Sequence, residues 1–174
     1  MKTCCFFGHR NTEETPYLML ELKKTITWLI SKRDVTTFLF GSASRFDELC
    51  VKIVSEFKEE YPDIKLVYVR SHYPYIEREY RDYILETYDD TIFPIRIEKA
   101  GRASYVERNQ VMIEQSDFCV FYYDENYNPP LRKRSKSSLS NYQPKSGTKL
   151  AYEYAKKKEK VILNLLKKDY MINQ

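Results

Sequence analysis

The chain of 174 residues is poor in the residues that mark the commonest cofactor and metal sites. It has four glycines, and they form neither G-x-G-x-x-G nor G-x-x-x-x-G-K-[ST]. That excludes the dinucleotide fingerprint and the P-loop, both of which need glycines at fixed offsets for close phosphate approach. Two histidines are too few for a His/Cys metal site, so no metal and no required cofactor are expected. The four cysteines include no C-x-x-C pair. Cys4 and Cys5 are neighbours on an apolar run and should point to opposite faces. The set reads as reduced, mostly buried thiols of a cytoplasmic protein. No stretch approaches the ~20 apolar residues of a membrane span, and the N-terminus turns polar too early for a signal peptide. Charge is nearly balanced, 29 basic against 25 acidic residues, which does not mark a nucleic-acid protein. There are no internal repeats.

What is abundant is apolar and aromatic. Hydrophobic residues make up 43% of the chain, enough for one buried core and too much for disorder. Tyrosine occurs 16 times. A tyrosine buries area but keeps a polar tip, so some should line a wet cleft while the rest pack.

Apolar runs alternate with helical stripes. Thr3–Phe7 reads as a first strand, ending in Gly8-His9-Arg10. Pro16 opens a helix, where its missing N–H costs nothing. Leu18, Leu22, Ile26, Leu29 and Ile30 give that helix its inward stripe. Thr36–Phe40 is a second strand, running into Gly41–Asp47. A helix follows with Leu49, Ile53, Val54 and Phe57 on one face, then a third strand at Ile64–Val69. This is β-α-β-α-β at the spacing of a right-handed parallel sheet. The strands are apolar throughout, as in a sheet covered on both faces. Ile76–Tyr88 is a charged, tyrosine-rich helix candidate, and Thr91–Phe93 a short edge strand. Ala103–Gln115 reads as a helix with Val106, Met112 and Ile113 inward, and Phe118–Tyr123 as the fourth main strand. Residues 124–145 form a polar loop too long for a plain connector. Thr148–Lys158 is the last helix, with Leu150, Ala151, Tyr154 and Ala155 toward the sheet. Lys160–Leu166 closes it. The expected fold is therefore one Rossmann-like α/β domain over residues 1–174, mostly parallel, with helices on both faces.

Ligands of such sheets gather at the carboxyl ends of the strands. Those ends carry the candidate binding residues: Gly8, His9 and Arg10; Gly41, Ser42, Ser44 and Asp47; Arg70; Tyr122, Tyr123 and Asp124; and Ser146, Gly147 and Thr148. Ser146-Gly147-Thr148 is a small-residue turn before a helix, whose unpaired N–H groups suit a phosphate. The competing reading is a plain turn with Thr148 as the helix cap. Asp47 is either the N-cap of its helix or an acceptor for ribose hydroxyls. Arg108, with Glu107 and Asn109, lies on the preceding helix as a counter-charge for phosphate, or as ordinary helix surface. Tyr73, Tyr122 or Tyr123 could stack on a base. The basic run Arg132–Lys136 reads as a solvated segment, a lid over an anion, or a nucleic-acid contact.

The opening T-C-C-F-F-G-H-R, with E-R-N at 107–109, S-D at 116–117 and S-G-T at 146–148, resembles the SLOG superfamily. This is the Rossmann-like group of the Lonely Guy and DprA-type proteins. Within it, the opening resembles the small bacterial and phage YpsA-like branch, and the resemblance covers nearly the whole chain. The resemblance implies binding of a nucleotide or a nucleotide-derived ligand, including cyclic or ADP-ribose-like signals, by a sensor or sequestering protein. It also implies a homodimer as a candidate assembly. The alternative it carries is a phosphoribohydrolase-like enzyme cutting the N-glycosidic bond of a nucleoside monophosphate. Glu107 and Arg108 would then be the catalytic candidates. The glutamate that follows G-T in the Lonely Guy enzymes has no match here. Lys149, Leu150 and Ala151 fill those positions, and Glu153 is out of register. Binding of DNA is the third and least favoured reading.

Overall fold

Six strands in the order β4-β3-β2-β1-β5-β6 make one sheet, and every neighbouring pair is parallel. The computed structural model describes residues 1–41, 44–127, 129 and 145–167. In chain order the elements are β1 (Lys2–Gly8), α1 (Pro16–Arg33), β2 (Val35–Phe40), α2 (Arg45–Phe57) and β3 (Lys65–Val69). They continue with α3 (Arg78–Leu85), β4 (Asp90–Ile92), α4 (Ser104–Gln115), β5 (Phe118–Tyr122), α5 (Gly147–Lys157) and β6 (Val161–Asn164). The expected single α/β sheet with helices on both faces is what the chain forms. The basic run Arg132–Lys136 and Ser42 lie outside the described residues.

Local chemistry sets the helix ends. Thr15 accepts the Leu18 N–H on its side chain, Pro16 takes the first helical position, and Asp34 closes α1 in the left-handed region at φ 56°. Ser44 caps α2 by accepting the Asp47 N–H at 3.2 Å. Asp47 is therefore not the cap; it sits three residues inside, buried. Similarly Ser146, not Thr148, caps α5, accepting the Lys149 N–H at 3.1 Å. In these turns the serine stands three residues before Asp47 and two before Thr148, the residues expected to cap, where extended backbone lets it fold back on the first turn.

The side chains of β1 split the core in two. Cys4 and Phe6 meet Leu18, Leu22, Ile26 and Leu29 of α1 and Phe46, Leu49 and Ile53 of α2. Cys5 and Phe7 meet Met112 and Ile113 of α4 and Ala151 and Ala155 of α5 on the opposite face. Each fully buried Leu, Ile or Phe contributes roughly 1.5–3 kcal/mol, so this packing, more than helix propensity, fixes where the helices lie. Ile30, Val106, Leu150 and Tyr154, all expected inward, are only half-buried. On α4 the centre of the buried face belongs to Arg108 instead of Val106, because backbone carbonyls are available there to satisfy its donors. The helix expected over 76–88 is shorter, Arg78–Leu85.

This arrangement places the functional corner. The chain builds outward from β1 to β4, then crosses by α4 to the other face and adds β5 on the free side of β1. The β1 and β5 exits therefore lead to opposite faces, and a crevice opens between them at their carboxyl ends.

Candidate ligand cleft

The crevice is a cleft of about 640 Å³. The loop after β1, the start of α2, one face of α4 and the start of α5 form its walls, with Tyr127 and Pro129 at the rim.

The end of β1 is pressed against its surroundings. A Cβ on Gly8 would collide with the Phe46 ring, and the Gly8 carbonyl accepts the Thr148 hydroxyl at 2.8 Å. Thr148 thus fastens α5 to β1. The Arg10 carbonyl accepts the Arg45 N–H at 3.1 Å, which ties the same loop to α2, while the Arg10 side chain is exposed and lines the cleft.

His9 is 6% exposed. Its Nε2 accepts the Asp124 N–H at 3.1 Å, which assigns the proton of the neutral ring to Nδ1. Nδ1 is buried and has no hydrogen-bond partner among the described residues. The ring stacks on Tyr127 at 3.9 Å and 26°. Burial pushes the His9 pKa below its ordinary value, against the opposing pull of Asp124. A neutral imidazole therefore lines the cleft, with its Nδ1–H buried.

Arg108 is 2% exposed. Nη1 donates to the Gly41 carbonyl and to the Val69 carbonyl at 2.9 Å, and Nε donates to Asn109 Oδ1 at 2.9 Å. Gly41 is needed for this approach, since a Cβ there would meet Nη1 and the Val69 carbonyl. Nη2 donates to none of the described residues. Burial lowers the guanidinium pKa, and the carboxylate of Asp47 opposes it. With Arg far above neutral pH, the group stays a cation, held at the cleft wall by carbonyls on one edge. Its bond also orients Asn109, leaving the amide nitrogen as a donor.

At the start of α5, Gly147 and Thr148 are the first residues of the helix, and their N–H groups donate to none of the described residues. Space beside Gly147 is open. These are the orphan donors of a helix N-terminus, at the positive end of its dipole.

The structure thus brings together Gly8, His9, Arg10, Ser44, Arg108, Asn109, Ser146, Gly147 and Thr148 of the expected set. Gly41 stands behind Arg108. Others are elsewhere. Arg70 is turned to the carbonyls of Tyr73 and Pro74 and to the Thr91 hydroxyl, and fixes the loop after β3. Tyr122 stacks on Phe46 at 5.7 Å in the core, and Tyr123 packs on Tyr152 at 4.6 Å. The Asp124 carboxylate, exposed, accepts the Asn126 N–H, and only the Asp124 backbone reaches His9. Glu107 is half-buried and does not line the cleft. The aromatic walls are Tyr105 and Tyr127, and Asn11 joins them; none of these was anticipated. Tyr105 had a signal, since it precedes Arg108 by three residues and so shares its helix face. Asn11 simply follows the Gly-His-Arg loop. Tyr127 had none.

An open parallel α/β sheet with a cleft at its switch point defines a Rossmann-like α/β protein. Residues 3–152 match the YspA SLOG family, YpsA, and the chain belongs to that family. No curated protein matches the chain.

Proposed function

We propose that this protein binds a nucleotide or nucleotide-derived ligand without cleaving it, as a sensor or sequestering protein. One observation carries the reading. Among the described residues lining the cleft there are two arginines, a neutral histidine, two asparagines and a free helix N-terminus, but no carboxylate. Such a wall attracts an anion rich in acceptors. A glycosidic hydrolysis of the phosphoribohydrolase kind needs a carboxylate at the sugar to stabilise charge or activate water. Glu107, the residue proposed for that role, stands outside the lining. A phosphate would sit on the Gly147 and Thr148 N–H groups, with Arg10 and Arg108 Nη2 as counter-charges. A planar base would lie on Tyr105, a contact worth roughly 1–3 kcal/mol.

The test is native mass spectrometry for a co-purified nucleotide, followed by incubation with nucleoside monophosphates and chromatography for free base. The expected result is bound ligand recovered intact. Base release abolished by Glu107→Gln would refute the binder and establish the hydrolase.

A further inference from the structure

A second cavity, of about 490 Å³, lies on the outer side of α2, between that helix and α3. Four tyrosines form its aromatic walls: Tyr68 from β3, Tyr80 and Tyr83 from α3, and Tyr88 from the turn before β4. The Tyr68 and Tyr88 rings are 5.2 Å apart and tilted, and Tyr80 and Tyr83 lie nearly parallel at 6.4 Å. The charged side chains that line it are all acidic: Asp47, Glu48 and Glu86.

Three arginines near the cavity have other partners. Arg45 bridges Glu14 and Glu48 at 2.8 and 3.0 Å. Arg70 is turned to backbone carbonyls, and Arg108 faces the ligand cleft with Asp47 behind it. Glu86 pairs with no cation among the described residues. Burial first, then the carboxylates of Asp47 and Glu48, hold the Tyr88 hydroxyl well above the ordinary tyrosine value, while at Tyr68 burial raises the pKa and Arg108 opposes it.

Aromatic faces carry negative charge density and attract weakly hydrated cations, while hard metal ions demand converging oxygens. Rings make up most of this wall, and the carboxylates stand at its edges. We propose that the cavity holds the head group of an organic cation, an alkylated ammonium or a guanidinium, between the tyrosine rings, with Glu86 as its counter-charge. The site is separate from the nucleotide cleft and does not depend on that reading.

Titration followed by amide chemical shifts in heteronuclear NMR tests it, using choline, its carbon isostere in which the quaternary nitrogen is replaced, and a short arginine-containing peptide. The expected result is saturable shifts centred on α3, Tyr68 and Tyr88 with a cation, and much weaker ones with the isostere. Response to choline alone assigns a free small molecule, response to the peptide alone a protein side chain, and response to both the shared head-group chemistry. Tyr83→Ala and Glu86→Gln alter exposed side chains and leave the core intact. Each should weaken binding about two- to fivefold. No shift with either cation, equal binding of the isostere, or unchanged affinity in both variants overturns the proposal.

Discussion

At the residue scale, His9 and Arg108 decide the character of the cleft, and each is defined by what its nitrogens already do. The sequence reads Arg108 as a counter-charge for phosphate or as ordinary helix surface. The side chain instead spends one edge on the carbonyls of Gly41 and Val69, which holds the carboxyl ends of β2 and β3 to α4. Only Nη2 remains for a ligand. His9 carries a pH dependence with a definite sign. Its folded pKa lies below the unfolded value of about 6.5, so the unfolded chain takes up the proton first. Its contribution to stability is complete above that pH and is lost as the pH falls toward the folded pKa. Protonation also replaces the acceptor facing the Asp124 N–H by a second donor. Urea unfolding as a function of pH should show this loss in the wild type. In His9→Gln, whose amide oxygen can replace Nε2 as acceptor, the loss between neutral and mildly acidic pH should be smaller. Parallel pH profiles for the two proteins would contradict the assignment.

At the element scale, α5 does two separable things. Its cap is Ser146, its anchor is the Thr148 hydroxyl on Gly8, and its free donors are the N–H groups of Gly147 and Thr148. Ser146 has φ −63° and ψ 149°, backbone that tolerates a following proline, and Gly147 occupies the first helical position, where proline is favoured. Gly147→Pro therefore deletes one of the two free N–H groups while keeping the helix. Chemical denaturation should give unchanged or slightly raised stability. On the proposed function, affinity for a nucleotide identified by native mass spectrometry, measured by calorimetry, should fall about tenfold or more, the value of a hydrogen bond to a charged group. Ser146→Ala should do the reverse, costing about 0.5–2 kcal/mol of stability through the lost cap. If Gly147→Pro binds as well as the wild type, the phosphate does not sit on this helix end.

At the scale of the whole molecule, the sheet divides two cores, and Cys4, Cys5, Cys50 and Cys119 are all buried within them. Burial raises the pKa of Cys4, Cys5 and Cys50 well above the ordinary thiol value, which leaves little thiolate to react. Alkylation of the native protein should therefore proceed only through unfolding, with all four sites modified together in denaturant and protected further by a bound ligand. A single thiol reacting at its unfolded rate would show a local opening. The apolar runs and helical stripes determined the element order, the parallel sheet and the corner at its carboxyl ends, because periodicity and burial on both faces are written into residue type. The opposite faces of Cys4 and Cys5 followed from strand alternation alone. The caps fall three residues before Asp47 and two before Thr148, because several small polar residues in each turn could serve and backbone geometry chose among them. Tertiary structure alone decided which side chains face the cleft. Arg70 and Arg108 look alike in sequence, yet the first closes on its own loop and the second reaches the crevice. Tyr122 and Tyr123 went into the cores, while Tyr105 and Tyr127 took the walls. Which residues reach the cleft depends on how α4 and the described residues just after β5, up to Tyr127, pack around the end of β1, and local sequence pattern carries no record of that.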